Sequence, residues 1–98
     1  KTIIFDEPDI GLGGAVAEKL GHKISTLSCN SQVICISHLP QVASFANNHL
    51  LVKKINSEVN KINIAKLDKN EKINEIARML SGEVLENEAF TLARKMIK

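Results

Sequence analysis

The chain has 98 residues, 44% of them hydrophobic, and a formal net charge of +2. That length makes one domain or part of one with a modest core, and so small a charge gives no argument for direct nucleic-acid binding. No apolar run approaches the roughly 20 residues of a membrane span and no signal-peptide pattern opens the chain, while the 2 cysteines, Cys29 and Cys35, are too few for a disulfide framework. The expectation is a cytoplasmic protein with no membrane partner. The start at Lys1, directly ahead of a strand, reads as a piece of a longer polypeptide.

Thr2-Ile3-Ile4-Phe5 is an apolar run that ends in two adjacent carboxylates, Asp6 and Glu7. A strand buried on both faces reads this way, and its C-terminal end is where open α/β sheets place their ligands. Phosphate chemistry needs such a pair. Asp6 can hold a hydrated Mg²⁺, and Glu7 can polarise the water that attacks a γ-phosphate. The pattern is a Walker B motif followed by a catalytic glutamate.

Pro8-Asp9-Ile10-Gly11-Leu12-Gly13-Gly14 cannot continue the strand, because it concentrates Pro and Gly. A dinucleotide-binding G-x-G-x-x-G turn fails here, since the third glycine position is Val16 and acidic residues would face a pyrophosphate. Two readings of Gly11, Gly13 and Gly14 stay open. They allow close approach of a nucleotide or another chain, or they form a purely structural turn.

Helical spacing of Ala15, Val16, Leu20, Ile24 and Leu27 predicts a helix over about 14–28 with one apolar side. A second strand follows at 32–37, with Cys35 in its apolar centre as a small core residue. Strand, helix and strand make a βαβ unit. His38 leaves the second strand at the same sheet edge as Asp6 and Glu7, within reach of a γ-phosphate or its attacking water. Pro40 suits the first turn of a short helix running to about 46.

Strand-like runs at about 49–55 and 60–67, joined by Asn56-Ser57-Glu58-Val59, predict an antiparallel hairpin. Lys53, Lys54, Lys61, Lys66, Lys69 and Lys72 are interspersed with acidic residues and read as a solvated hairpin face. Two helices close the chain. The first, about 70–81, aligns Ile73, Ile76, Ala77 and Leu80; the second, about 86–97, aligns Ala89, Leu92, Ala93 and Met96.

Other combinations of reactive side chains are weak. His22, Cys29, Cys35, His38 and His49 match no regular zinc spacing, and strand alternation turns Cys35 away from a nucleophilic pairing with His38. His22 and His49 read as ordinary surface or satisfied core residues.

Ile3 to Glu7, Asp9 to Gly14, and Ile36-Ser37-His38-Leu39-Pro40-Gln41-Val42-Ala43 together closely resemble the C-terminal part of the bacterial DNA repair family RecN, a group of SMC-like, ABC-type ATPases. The resemblance covers essentially all of residues 1–98, and its middle motifs are the specific ones. Pro8 departs from it, since the family more often has an aliphatic residue there; it removes no chemical group.

The resemblance implies an α/β fold: part of a P-loop NTPase head with a βαβ unit, an antiparallel hairpin and two C-terminal helices. It implies that Asp6 coordinates the Mg²⁺ shell, Glu7 activates the hydrolytic water and His38 is the switch histidine. Asp9, Gly11, Gly13 and Gly14 would belong to the D-loop that crosses to a partner's ATP site. ATP, an N-terminal ATPase lobe, a homodimer through the heads, and DNA acted on by the parent in double-strand break repair and recombination complete the expectation. The alternative is a non-catalytic protein-interaction domain that keeps the fold.

Leu80-Ser81-Gly82-Glu83 imitates the ABC signature but follows the hairpin, and Gly82 reads instead as a helix C-cap. A P-loop, G-x-x-x-x-G-K-[ST], does not occur within these residues. The expectation is therefore that this chain alone neither binds ATP tightly nor hydrolyses it, and that uncovered apolar surface makes it self-associate.

Overall fold

The computed structural model describes residues 1–8, 10–56, 61–81 and 87–97. Their order is β1 (Thr2–Asp6), α1 (Gly14–Leu27), β2 (Gln32–Ile36), α2 (Pro40–Ala43), β3 (Leu50–Asn56), β4 (Lys61–Lys66), α3 (Lys69–Ser81) and α4 (Asn87–Met96). Every expected element is present. The hairpin turn at residues 57–60 and the Gly82 cap lie outside the described residues. The helix expected to reach about 46 stops at Ala43, because Phe45 and Ala46 donate their N–H groups three residues back, to Val42 and Ala43, and tighten the chain into turns.

β1 and β2 pair in parallel, with Ile3 beside Val33, Phe5 beside Cys35 and Asp6 beside Ile36. β3 and β4 pair antiparallel, and among the described residues the two pairs form separate two-stranded sheets. The strand expected to be buried on both faces is not. Ile3 and Phe5 are half-buried, whereas Ile4 is 65% exposed and Ile34 and Ile36 lie beside it at 45% and 52%. A continuous apolar run cannot by itself report whether one face or two are covered, because alternation is invisible when both faces are apolar.

α1 also turns a different side inward. Ala17, Gly21 and Ile24 are its buried residues, while Val16 and Leu27, two of the expected apolar positions, are 53% and 46% exposed. Close approach explains the shift. A Cβ added at Gly21 would stand 2.6 Å from Phe45 Cδ2 and 3.1 Å from the Gln41 carbonyl oxygen, so the segment after β2 lies directly on α1 at this glycine.

The helical end follows its sequence pattern. Asp68 Oδ1 accepts the Glu71 N–H at 2.8 Å while the Asp68 N–H donates to Glu71 Oε1 at 3.0 Å, a reciprocal cap that starts α3. Ile76, Ala77, Ala89 and Ala93 form the buried core, with Ile73, Leu80, Phe90 and Met96 packed around them. Leu92, expected on the same face, is 47% exposed. Glu75 is buried and satisfied by Arg78, whose Nε donates to its Oε1 at 2.6 Å. That hydrogen bond is the main reason the Arg78 guanidinium is held above its ordinary pKa.

Lys72 is not part of a solvated hairpin face. It is half-buried, donates from Nζ to the Ala46 carbonyl and so ties α3 to the turn after α2. Burial lowers its pKa. On the hairpin, Leu50, Val52, Ile62 and Ile64 are all exposed and share one face by register with Lys54 and Lys66.

Candidate active site

Parallel pairing with Asp6 opposite Ile36 brings the residues that follow the two strands to one sheet edge. Glu7 extends the ladder by one bond, its N–H donating to the Ile36 carbonyl at 2.8 Å. Its backbone then turns left-handed, with φ of 48°, the one described non-glycine residue to do so. Such a conformation costs on the order of 1 kcal/mol for a residue with a Cβ. The turn that it creates carries the chain away from β1 and aims the carboxylate across to the end of β2.

His38 stands there. Its Nδ1 is 3.6 Å from Glu7 Oε1, and the two side chains are 64% and 45% exposed respectively. The separation is longer than a direct hydrogen bond and short enough for one small molecule or phosphate oxygen to touch both groups. The His38 backbone is fixed from two sides. Before it, Ile36 is paired in the sheet; after it, the Leu39 N–H donates to Ser37 Oγ at 3.1 Å, closing a small turn around His38, and Pro40 opens α2.

The glycine segment is arranged next to these groups. Gly11 has φ of +80°, a left-handed turn that only glycine makes cheaply. Gly13 is extended and forms the N-cap of α1, its carbonyl accepting the Ala17 N–H at 2.9 Å. Gly14 begins the helix with the Gln41 side chain beside it, Nε2 being 3.4 Å from where a Cβ would lie. Asp9 lies outside the described residues.

Glu7 and His38 are thus brought together, and Asp6 ends β1 on the exposed side of the strand. Among the described residues no group of three or more His, Cys, Asp or Glu could hold a metal ion. The donor set does fit a hard cation that retains water and takes its other ligands from phosphate, the mode of Mg²⁺ held by one or two carboxylates. Asp6 is the residue that would hold it.

The remaining histidines separate. His22 meets the edge of the Phe45 ring at a centroid distance of 6.0 Å. His49 departs from a satisfied core residue, because its Nδ1 is buried without a hydrogen-bond partner. Burial lowers its pKa, nearby Lys72 lowers it further, and Glu75 opposes the shift. Ser81 of the signature-like Leu80-Ser81 sequence donates its hydroxyl to the Ala77 carbonyl at 3.0 Å and serves the end of α3. Gly21 belongs to no motif, and Gln41 lies in the Ile36–Ala43 motif without a chemical role read from it; for Gly21, a glycine in the middle of a helix is the available signal.

No protein-family model matches the chain. Among curated proteins it is 42% identical over 98 residues to the DNA repair protein RecN of Xylella fastidiosa strain 9a5c, covering 99% of this chain and 18% of that protein. The RecN of Bacillus subtilis strain 168 is 40% identical over 98 residues, covering 99% and 17% respectively. The RecN of Rickettsia bellii strain RML369-C is 40% identical over 97 residues, covering 98% and 18%. The chain therefore spans less than a fifth of the length of these relatives. A solved SMC ATPase, described for ATP-driven dimerization and DNA-stimulated activation, superposes with a TM-score of 0.71 over 85% of this chain and 49% of its own, at 18% identity. The likeness shows that this chain shares the fold of the matching part of that structure.

Proposed function

We propose, from the premise that this chain is RecN-like along its whole length, that it supplies half of an ATP-hydrolysing site to a DNA repair ATPase. It contributes the Walker B carboxylates, the glycine D-loop and the switch histidine, as the C-terminal part of the head. The P-loop comes from an N-terminal lobe, and a second head completes the site as a homodimer. DNA double-strand break repair and recombination is the process that the ATP cycle serves, in the cytoplasm. The observation that carries this reading is the placement of Glu7 and His38, 3.6 Å apart, at the shared C-terminal edge of two registered parallel strands.

The chemistry follows from those two groups. The Glu7 carboxylate accepts a proton from the attacking water as its oxygen forms the bond to the γ-phosphorus, and the bond from that phosphorus to the β–γ bridging oxygen breaks to leave ADP and phosphate. His38 donates a hydrogen bond to a γ-phosphate oxygen and keeps the transferred group in line with the water. Asp6 would hold Mg²⁺, which when bound neutralises phosphate charge. The D-loop of Asp9, Gly11, Gly13 and Gly14 is the segment that a partner's nucleotide meets, and Gly11 supplies a left-handed turn in it.

Glu7→Gln in a complete RecN-type protein carrying this segment tests the assignment. Turnover is expected to fall by about a hundredfold or more while ATP is still bound, since the amide keeps the shape and loses the base. Retained turnover would transfer the base to another residue. A non-catalytic protein-interaction domain is the second reading, favoured by the apolar hairpin face of Leu50, Val52, Ile62 and Ile64. Under that reading Glu7→Gln leaves the protein's repair activity intact, whereas Val52→Asp removes it.

A further inference from the structure

His38 lies two residues before α2, separated from it only by Leu39, so whatever seats α2 also sets where His38 stands. α2 itself is a single turn, too short to hold a position alone. Its seat is α1. Phe45 Cδ2 and Cε2 would lie 2.6 Å and 3.0 Å from a Cβ at Gly21, and the Gln41 carbonyl oxygen 3.1 Å from it. The Phe45 ring also lies edge-on to His22, one residue along α1. Pro40, Val42 and Ser44 are buried, and Lys72 of α3 holds the turn after α2 through the Ala46 carbonyl, so the segment is confined.

The Phe45 ring stands closer to the Cβ position at Gly21 than real Cβ atoms come, and the Gln41 carbonyl oxygen, at 3.1 Å, would have to give by a few tenths of an ångström. A rotamer change can move the Phe45 ring. It cannot move the Gln41 carbonyl, which shifts only if α2 shifts. Because the Ser37–Leu39 turn is closed around His38 by a 3.1 Å hydrogen bond, a displacement of α2 passes to His38 with little to absorb it. Glu7 would not follow, since it is tied to the end of β2 through the Ile36 carbonyl.

We infer that Gly21, by admitting Phe45 and the Gln41 carbonyl against α1, is a positioning residue that sets the distance between His38 and Glu7. The inference rests on the hydrolytic reading of those two residues for its effect on turnover, but not for its effect on geometry. It also gives the segment from Pro40 to Phe45 a task that its chemistry alone does not suggest. It is a strut between α1 and the switch-histidine loop.

The test uses a complete RecN-type protein carrying this segment, with Gly21→Ala and Gly21→Ala/Phe45→Ala. A structure of each variant reads the Glu7–His38 separation, and ATP turnover reads kcat and KM. Gly21→Ala is expected to displace α2, widen the separation and lower kcat by about tenfold or more with KM changed far less. Phe45→Ala added to it removes the two closest contacts and leaves only the 3.1 Å approach of the Gln41 carbonyl, so part of the displacement and part of the kcat loss are expected to be recovered, although deleting the ring lowers thermal stability. A merely structural role predicts the opposite, with stability and kcat falling together. Should Gly21→Ala leave the separation and kcat as in the parent, or the double variant lose more kcat than the single, the inference is overturned. Should the geometry move and recover as described while His38→Ala hydrolyses ATP like the parent, the strut stands and the role given to His38 falls.

Discussion

The two ends of this molecule are built on different principles. At the helical end, α3 begins with a reciprocal Asp68–Glu71 cap, buries Ile76 and Ala77 completely against α4, and satisfies its one buried carboxylate with Arg78. At the strand end, Glu7 is held left-handed, Gly13 caps α1 with no side chain, and Ile4, Ile34 and Ile36 face outward. One end spends its residues on local stability. The other holds two chemical groups in place on a scaffold with an open apolar face, an arrangement suited to a surface that another segment or chain covers.

That contrast is open to direct attack by mutation. Ile76→Ala is expected to destabilise the fold by about 3–4 kcal/mol, because a fully buried side chain leaves a cavity. Ile4→Ala is expected to cost less than about 1 kcal/mol, since most of that side chain is already in solvent. Chemical denaturation of both variants measures the difference. Equal losses would mean that the exposed face of β1 is covered in solution, by self-association, for which sedimentation is the check.

A smaller effect is expected within the helical end itself. Arg78→Ala leaves the buried Glu75 carboxylate without its partner and should cost about 2–3 kcal/mol near neutral pH. Adding Glu75→Gln, which removes the charge and keeps the shape, should return part of that loss. If Arg78→Ala alone is silent in denaturant melts, Glu75 finds water or another donor and the end is less tightly built than the packing suggests.

Smaller again is the response of the junction between the two ends to pH. His49 has its pKa lowered from the ordinary 6.5, chiefly by burial and then by Lys72. The unfolded chain therefore binds a proton more readily than the folded one. The contribution of His49 to stability is complete above 6.5 and declines as pH falls below that value toward the lowered one. His49→Gln should flatten that part of a Tm against pH curve; an unchanged slope would assign the dependence to other groups.

Much of this was legible in the residues, and the failures have common causes. The βαβ unit was readable because Asp6-Glu7 and His38 each end an apolar run, and a parallel pair puts both ends on one edge. The inward face of α3 was readable because Ile73, Ile76, Ala77 and Leu80 keep helical spacing without competitors. In α1 the spacing misled, because Gly21 carries no hydropathy and yet makes the closest approach in that helix. The strand faces were ambiguous for the opposite reason, every position being apolar. His49 carried no pattern at all, since the Lys72 and Glu75 charges that act on it come from α3, far along the chain.

The central claim is that Glu7 and His38 act on one substrate as a pair, and ATP turnover in a double-mutant cycle measures it most directly. In a complete RecN-type protein carrying this segment, Glu7→Gln and His38→Ala should each lower kcat severely, and the double variant should fall little further than the worse single. Losses that multiply would mean that the two residues act independently, and the 3.6 Å pairing at the sheet edge would then carry no catalytic meaning.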